Sequence, residues 1–228
     1  MRWLMPPILA VTCFPFTTPR RGVDRSLQAQ DRAPHAPPNR WPRRPRGNRL
    51  ESTQRSRLEV MMTNPTGHYA NRPDGLYLLF DRLFAAPIEK VWFTLTEPGE
   101  MKKWIGTYTG NPRTGGVRFI LSGGANSEWE YASVLEFEAP HRFTADVGAG
   151  ADEVRVYCHL TEKAGRTALT LGQRLRAPED AQRIGPVWDH YLDALQSAIA
   201  GGERPKWSHY GDDYVEYYKG LVVPAESA

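Results

Sequence analysis

Seven apolar side chains near the end of the chain, Ile184, Val187, Trp188, Tyr191, Leu192, Leu195 and Ile199, fall at i, i+3, i+4, i+7, i+8, i+11 and i+15. The stripe keeps a 3.6 period without a break, so the segment is read as an amphipathic helix of about four turns. Gly201-Gly202 follows and supplies the left-handed stop that helix C-termini favour. A stripe with two large aromatics needs a long apolar surface to cover it. The residues before it supply that surface as strands.

Gly75 precedes the apolar run Leu76–Phe84, which Ala86-Pro87 ends. The pattern then turns helical, with Pro87 at the start, Glu89 in the first turn, and Ile88, Val91, Trp92 and Leu95 at helical spacing. A second short helix is expected from Pro98 through Trp104, and Gly115-Gly116 opens a series of strands beginning with Val117–Leu121. In Glu128–Glu138, Trp129, Tyr131, Ser133, Leu135 and Phe137 alternate against Glu128, Glu130, Glu136 and Glu138, as in a half-buried antiparallel strand. Arg142–Val147 follows Pro140. Val154, Val156, Cys158 and Leu160 then alternate with polar residues. After the turn Lys163-Ala164-Gly165, Thr167, Leu169, Leu171, Gln173 and Leu175 share one side. The order β-α-α-β-β-β-β-β-α predicts an α+β domain whose last helix lies in the concave face of a curved antiparallel sheet.

Composition divides the 228 residues in two. Residues 1–60 hold 12 Arg, no Lys and 4 acidic side chains, a net of +8, with 9 of the 19 prolines. The remainder carries 17 basic and 22 acidic residues, a net of −5. A segment so rich in Arg and Pro, with no sustained period, cannot bury enough surface to offset its ordering entropy; 1–60 is expected to be a disordered leader. Three readings of it stay open. It is a tether for nucleic acid or acidic membrane, a targeting peptide built on Arg2 and the apolar stretch to Phe16, or GC-rich upstream sequence that is not native coding sequence. Pro6 and Pro7 count against the second, and the change at Met61-Met62 favours the third. The domain is then expected over 61–202, with a tail over 203–228. The positive total belongs to the leader, so nucleic acid is not an expected partner. Trp3–Val11 falls far short of the ~20 residues of a membrane span. Two cysteines, Cys13 and Cys158, exclude a disulfide scaffold and a Cys-based zinc site.

Six stretches, in order, carry a resemblance: Ala86-Pro87-Ile88-Glu89-Lys90-Val91-Trp92, Trp104, Arg113–Phe119, Val134–Phe143, Gly165–Leu171 and Gly185–Leu195. Together they resemble the START-like, helix-grip superfamily (SRPBCC), in the branch named for the C-terminal domain of the activator of the heat-shock protein 90 ATPase. The resemblance spans about Leu76 to Gly202. It implies a curved antiparallel sheet wrapped around a long C-terminal helix, with a cavity between them. It also implies a choice of roles, because members bind lipids, polyketides or other apolar small molecules, act in chaperone regulation, or are cyclases and hydrolases.

On that fold Trp92, Trp104, Phe119, Trp129, Tyr131, Phe137, Trp188 and Tyr191 are expected to face the space between sheet and helix. If they form a ligand pocket rather than a plain core, Ser133, Gln173 and the hydroxyls of Tyr131 and Tyr191 are its few polar contacts. Asp189, His190 and Asp193 fall on the polar side of the closing helix and are expected to be solvated. His141 and His159 lie on other elements, and no two histidines have ligand spacing, so no catalytic residue, metal or cofactor is expected. Cys158 reads as an inert buried thiol. There is no Gly-x-Ser-x-Gly, phosphate loop or dinucleotide fingerprint, and Gly123-Gly124, like Gly115-Gly116, reads as a hairpin turn.

The expected protein is therefore a non-catalytic, cytoplasmic domain holding an apolar or aromatic small molecule. One alternative is a co-chaperone-like regulatory module of the stress response, although residues 1–60 offer no counterpart to the N-terminal domain of the eukaryotic activator. The other is an enzyme of the cyclase or hydrolase kind. Beyond Gly202, Trp207, Tyr210, Tyr214, Tyr217 and Tyr218 crowd into twelve residues. Lys206–Leu221 is expected to pack back on the domain, or to form a surface for a chaperone or a second copy of the chain.

Overall fold

The structure, a computed structural model, describes residues 64–122 and 128–225. The leader, Met61-Met62 and the Gly123-Gly124 turn lie outside the described residues. Strands β1 (His68–Arg72) and β2 (Gly75–Phe84) are followed by helices α1 (Ile88–Thr96) and α2 (Pro98–Met101). Then come β3 (Gly106–Asn111), β4 (Gly116–Leu121), β5 (Glu130–Glu138), β6 (Arg142–Val147), β7 (Val154–Lys163) and β8 (Arg166–Arg174). Helix α3 (Ala181–Ala200) and a shorter α4 (Asp212–Lys219) complete the order.

The strands form one antiparallel sheet in the order β1-β2-β8-β7-β6-β5-β4-β3. Leu78, Phe80 and Phe84 from β2, Leu160 from β7 and Leu169 and Leu171 from β8 share one core with Ile184, Leu192 and Leu195 of α3. This is the expected α+β helix-grip architecture. The order gains α4 and the two edge strands, β1 and β3. Both edges are short and polar, His68-Tyr69-Ala70-Asn71-Arg72 and Gly106-Thr107-Tyr108-Thr109-Gly110-Asn111. Such composition blunts an edge against further pairing and also hides it from a search for apolar alternation.

Helix α1 begins after Pro87, and the backbone N–H of Ile88 donates to Glu162 Oε2 of β7 at 2.8 Å. The carboxylate satisfies an orphan N–H and sits at the positive end of the helix, which ties α1 to the sheet. All seven residues of the α3 stripe are buried. Gly201, at φ 72°, closes the helix with its N–H on the Ser197 carbonyl.

Candidate ligand cavity

A cavity of about 160 Å³ lies between the sheet and α3. Leu95 and Thr96 of α1, Met101 of α2 and Trp104 wall it on one side, and Val187, Trp188 and Tyr191 of α3 on another. The sheet contributes Tyr108, Phe119, Ala132, Val134, Phe137, Phe143, Leu171 and Gln173. The indole N–H of Trp188 donates to Gln173 Oε1 at 2.5 Å, and that of Trp104 to the Thr94 carbonyl at 3.0 Å. Both tryptophans are thus satisfied inside the protein and turn ring carbon to the cavity. Tyr108 and Tyr191 are the titratable groups on the wall. Burial pushes both hydroxyls up, helped at Tyr108 by Glu97 and opposed at Tyr191 by Arg204. They stand as neutral hydrogen-bonding groups.

Of the residues expected at the cavity, Trp104, Phe119, Phe137, Gln173, Trp188 and Tyr191 line it. Trp92 is buried behind the wall, its ring 5.2 Å from Phe137 and 6.3 Å from Phe143. Trp129, Tyr131 and Ser133 are not on the wall, and the reason is a bulge in β5. The register runs Val134↔Ala145 and then Glu136↔Thr144, which leaves Leu135 without a partner. One extra residue exchanges the two faces of a strand. Ahead of the bulge Ala132 and Val134 therefore point inward while Tyr131, 56% exposed, and Ser133 point out; beyond it Phe137 points inward. Leu135 itself is 53% exposed, and Trp129 precedes the strand at 42%.

On the outer face the Tyr131 ring crosses Gly116, where a Cβ would meet its hydroxyl at 2.2 Å. Glu130 is half-buried, as is Glu136, whereas Glu138 is exposed; burial, then Glu128, pushes the Glu130 carboxyl up. Tyr108 was signalled by nothing more than the alternation Thr107-Tyr108-Thr109 between two glycines.

The polar side of α3 corrects a second expectation. Asp189, His190 and Asp193 are buried, because the segment beyond Gly202 lies along that side. Arg82 Nη2 of β2 is 2.9 Å from Asp189 Oδ1 and 3.4 Å from Asp193 Oδ1. Thr66 Oγ1 donates to Asp189 Oδ1 at 2.7 Å, Tyr210 donates to Asp193 Oδ2 at 2.8 Å, and Tyr218 donates to Asp189 Oδ2. His190 sits among the rings of Tyr191, Trp207 and Tyr210.

Burial, and then Arg204, lowers His190 to about 4. Burial raises Asp193 to about 6, against the pull of Arg82 and Tyr210. The two act in opposite senses on stability. His190 contributes stability that is present above pH 6.5 and is lost as the pH falls through about 4. Asp193 contributes stability that is present below pH 3.8 and is lost as the pH rises through about 6. Chemical denaturation between pH 4 and 7 should therefore show little net slope in the wild type. Asp193→Asn should lose stability on acidification, and His190→Phe should gain it. Parallel profiles for the two variants would contradict this assignment.

Cys158 is fully buried, and burial pushes its thiol up. Among the described residues no group of three His, Cys, Asp or Glu side chains could hold a metal ion. None of the described helices is long and apolar enough to cross a membrane.

Residues 85–200 match the family described as Activator of Hsp90 ATPase homolog 1-like protein. Among solved structures, the chain is similar to the crystal structure of CalU16 from Micromonospora echinospora, at 23% identity and a TM-score of 0.56 over 70% of this chain and 97% of that one. It is also similar to a protein from Bordetella parapertussis solved by solution NMR, at 22% identity and a TM-score of 0.54 over 70% and 93% of the two chains. No curated protein matches. At these identities the structural likeness speaks for the fold alone.

Proposed function

The chain belongs to the Activator of Hsp90 ATPase homolog 1-like family, of helix-grip fold, and from that premise we propose that it binds an apolar small molecule between sheet and α3 without transforming it. The observation that carries this reading is the wall itself. It is ring and aliphatic carbon from three sides, and its polar side chains are Thr96, Tyr108, Tyr191 and Gln173. No carboxylate, histidine or lysine of the described residues stands on it, so general acid–base chemistry would have to rest on neutral tyrosines whose hydroxyls burial has pushed up. About 160 Å³ is below the roughly 300 Å³ at which drug-sized pockets begin. It is of the size at which an apolar cavity takes up a benzene-like ring, about 150 Å³. The ligand is accordingly one whose buried part is a single small ring system, with the rest of the molecule outside.

Two measurements test this. Native mass spectrometry of protein purified from its own host should show a retained small-molecule adduct. Ala132→Phe, which places a ring in the cavity from the sheet side, should abolish the adduct and leave the melting temperature unchanged or raised. An adduct that survives this substitution would place the ligand elsewhere. Purified protein with no adduct and no affinity for small aromatic probes would remove the proposal.

A further inference from the structure

We infer that the ligand of this cavity carries an anionic group beside its apolar part, held at the rim by Arg113 and Arg204. The inference rests on the cavity being a ligand site. Two of its wall rings bear a guanidinium: Arg113 lies 5.4 Å from the centroid of Phe137, and Arg204 lies 6.0 Å from that of Tyr191. Both arginines are exposed; neither lines the cavity itself, and each lies against a ring that does. They come from separate segments, Arg113 from the turn Pro112–Thr114 after β3 and Arg204 from the stretch after α3.

Neither guanidinium makes an ion pair with a carboxylate of the described residues. Arg72, Arg118, Arg166 and Arg174 share this, whereas Arg82, Arg142, Arg155, Arg176 and Arg183 each sit within 4 Å of a carboxylate; what sets Arg113 and Arg204 apart is the cavity-wall ring each lies against. A ring face holds the position of a guanidinium by attraction to its plane. It leaves the N–H fork free at the edge to accept a carboxylate in bidentate fashion. A neutral apolar ligand would use neither fork. An amphipathic acid uses both features of the site: its ring enters among carbon atoms and its charge stays at the rim, where it need not be desolvated.

The test compares benzoate with acetophenone, which keeps the ring and replaces the carboxylate by a neutral methyl ketone, by calorimetric titration at low salt. The acid should bind about tenfold more tightly, and the preference should shrink with added salt. Arg113→Gln and Arg204→Gln should each reduce the preference and leave the affinity for the ketone unchanged. Equal affinities for acid and ketone would overturn the anionic inference while the cavity remained a ligand site. If neither compound binds, the ligand reading beneath it falls as well. If both arginine variants keep the full preference, the charge is recognised somewhere other than the rim.

Discussion

Asp189→Ala should cost about 3–5 kcal/mol of unfolding free energy, the range for removing one partner of a buried ion pair. The Asp189 side chain is fully buried, and Arg82, which bonds it at 2.9 Å, is nearly so. Without Asp189 the guanidinium keeps Asp193 at 3.4 Å, a looser contact, and Thr66 and Tyr218 lose an acceptor. Asp189→Asn, which keeps the shape and drops the charge, should fall between wild type and Ala. The double variant Arg82→Met/Asp189→Leu should recover part of the loss, because no charge is then stranded. Urea unfolding with an unchanged slope gives the comparison directly. A loss below about 1 kcal/mol in Asp189→Ala would mean that the pair behaves as a solvated surface bridge.

The same cluster shows where the sequence is silent. On the closing helix the apolar stripe was legible because seven residues repeat one period, and every one of them is buried. The opposite side, with Asp189, His190 and Asp193, reads as a solvated face because a helix pattern reports polarity and cannot report what covers it. What covers it comes from two distant places, Thr66 ahead of β1 and Tyr210 and Tyr218 beyond α3. Burial of the two aspartates follows from that long-range pairing with Arg82, which nothing in the local pattern of β2 announces.

Strand β5 fails for the opposite reason, since its pattern was clear and was read in one phase. Trp129, Tyr131, Ser133, Leu135 and Phe137 alternate without fault in the sequence, yet the unpaired Leu135 turns the first half outward. A bulge adds a residue to one strand without changing the composition, and Leu, Val and Ser around it carry no glycine to mark the place. The cavity therefore received Ala132 and Val134 where Tyr131 and Ser133 were expected; of the expected polar contacts it keeps Gln173 and Tyr191, and it gains Thr96 and Tyr108. Phe119, Gln173, Trp188 and Tyr191, on unbulged elements, line the cavity as their periodicity required, and Trp104 lines it from the turn between α2 and β3.

Tyr218→Ala should destabilise the fold by about 3–5 kcal/mol, as truncation of a buried aromatic does. The ring is nearly fully buried between Gly67 and Gly185: a Cβ at Gly185 would lie 2.4 Å from three of its carbons, and one at Gly67 would lie 2.7 Å from one. Its hydroxyl donates to the Asp189 carboxylate and accepts from the Gly67 N–H at 3.0 Å, so one side chain joins the tail, α3 and the segment ahead of β1. Tyr218→Phe should retain the packing and lose the bond to the carboxylate, at about 1.5–3 kcal/mol. Gly185→Ala attacks the same contact from the helix. Alanine is the better helix former by about 1 kcal/mol, yet here its methyl must displace the ring, and the net change should be destabilising by about 1–3 kcal/mol. The decisive measurement is the pair: once Tyr218→Ala has emptied the space, the Gly185 methyl meets no ring, and the double variant should be more stable than the sum of the two losses implies. Additive losses would show that helix and tail do not share this contact. A stabilising Gly185→Ala in the presence of Tyr218 would show that the tail does not rest on α3 in solution.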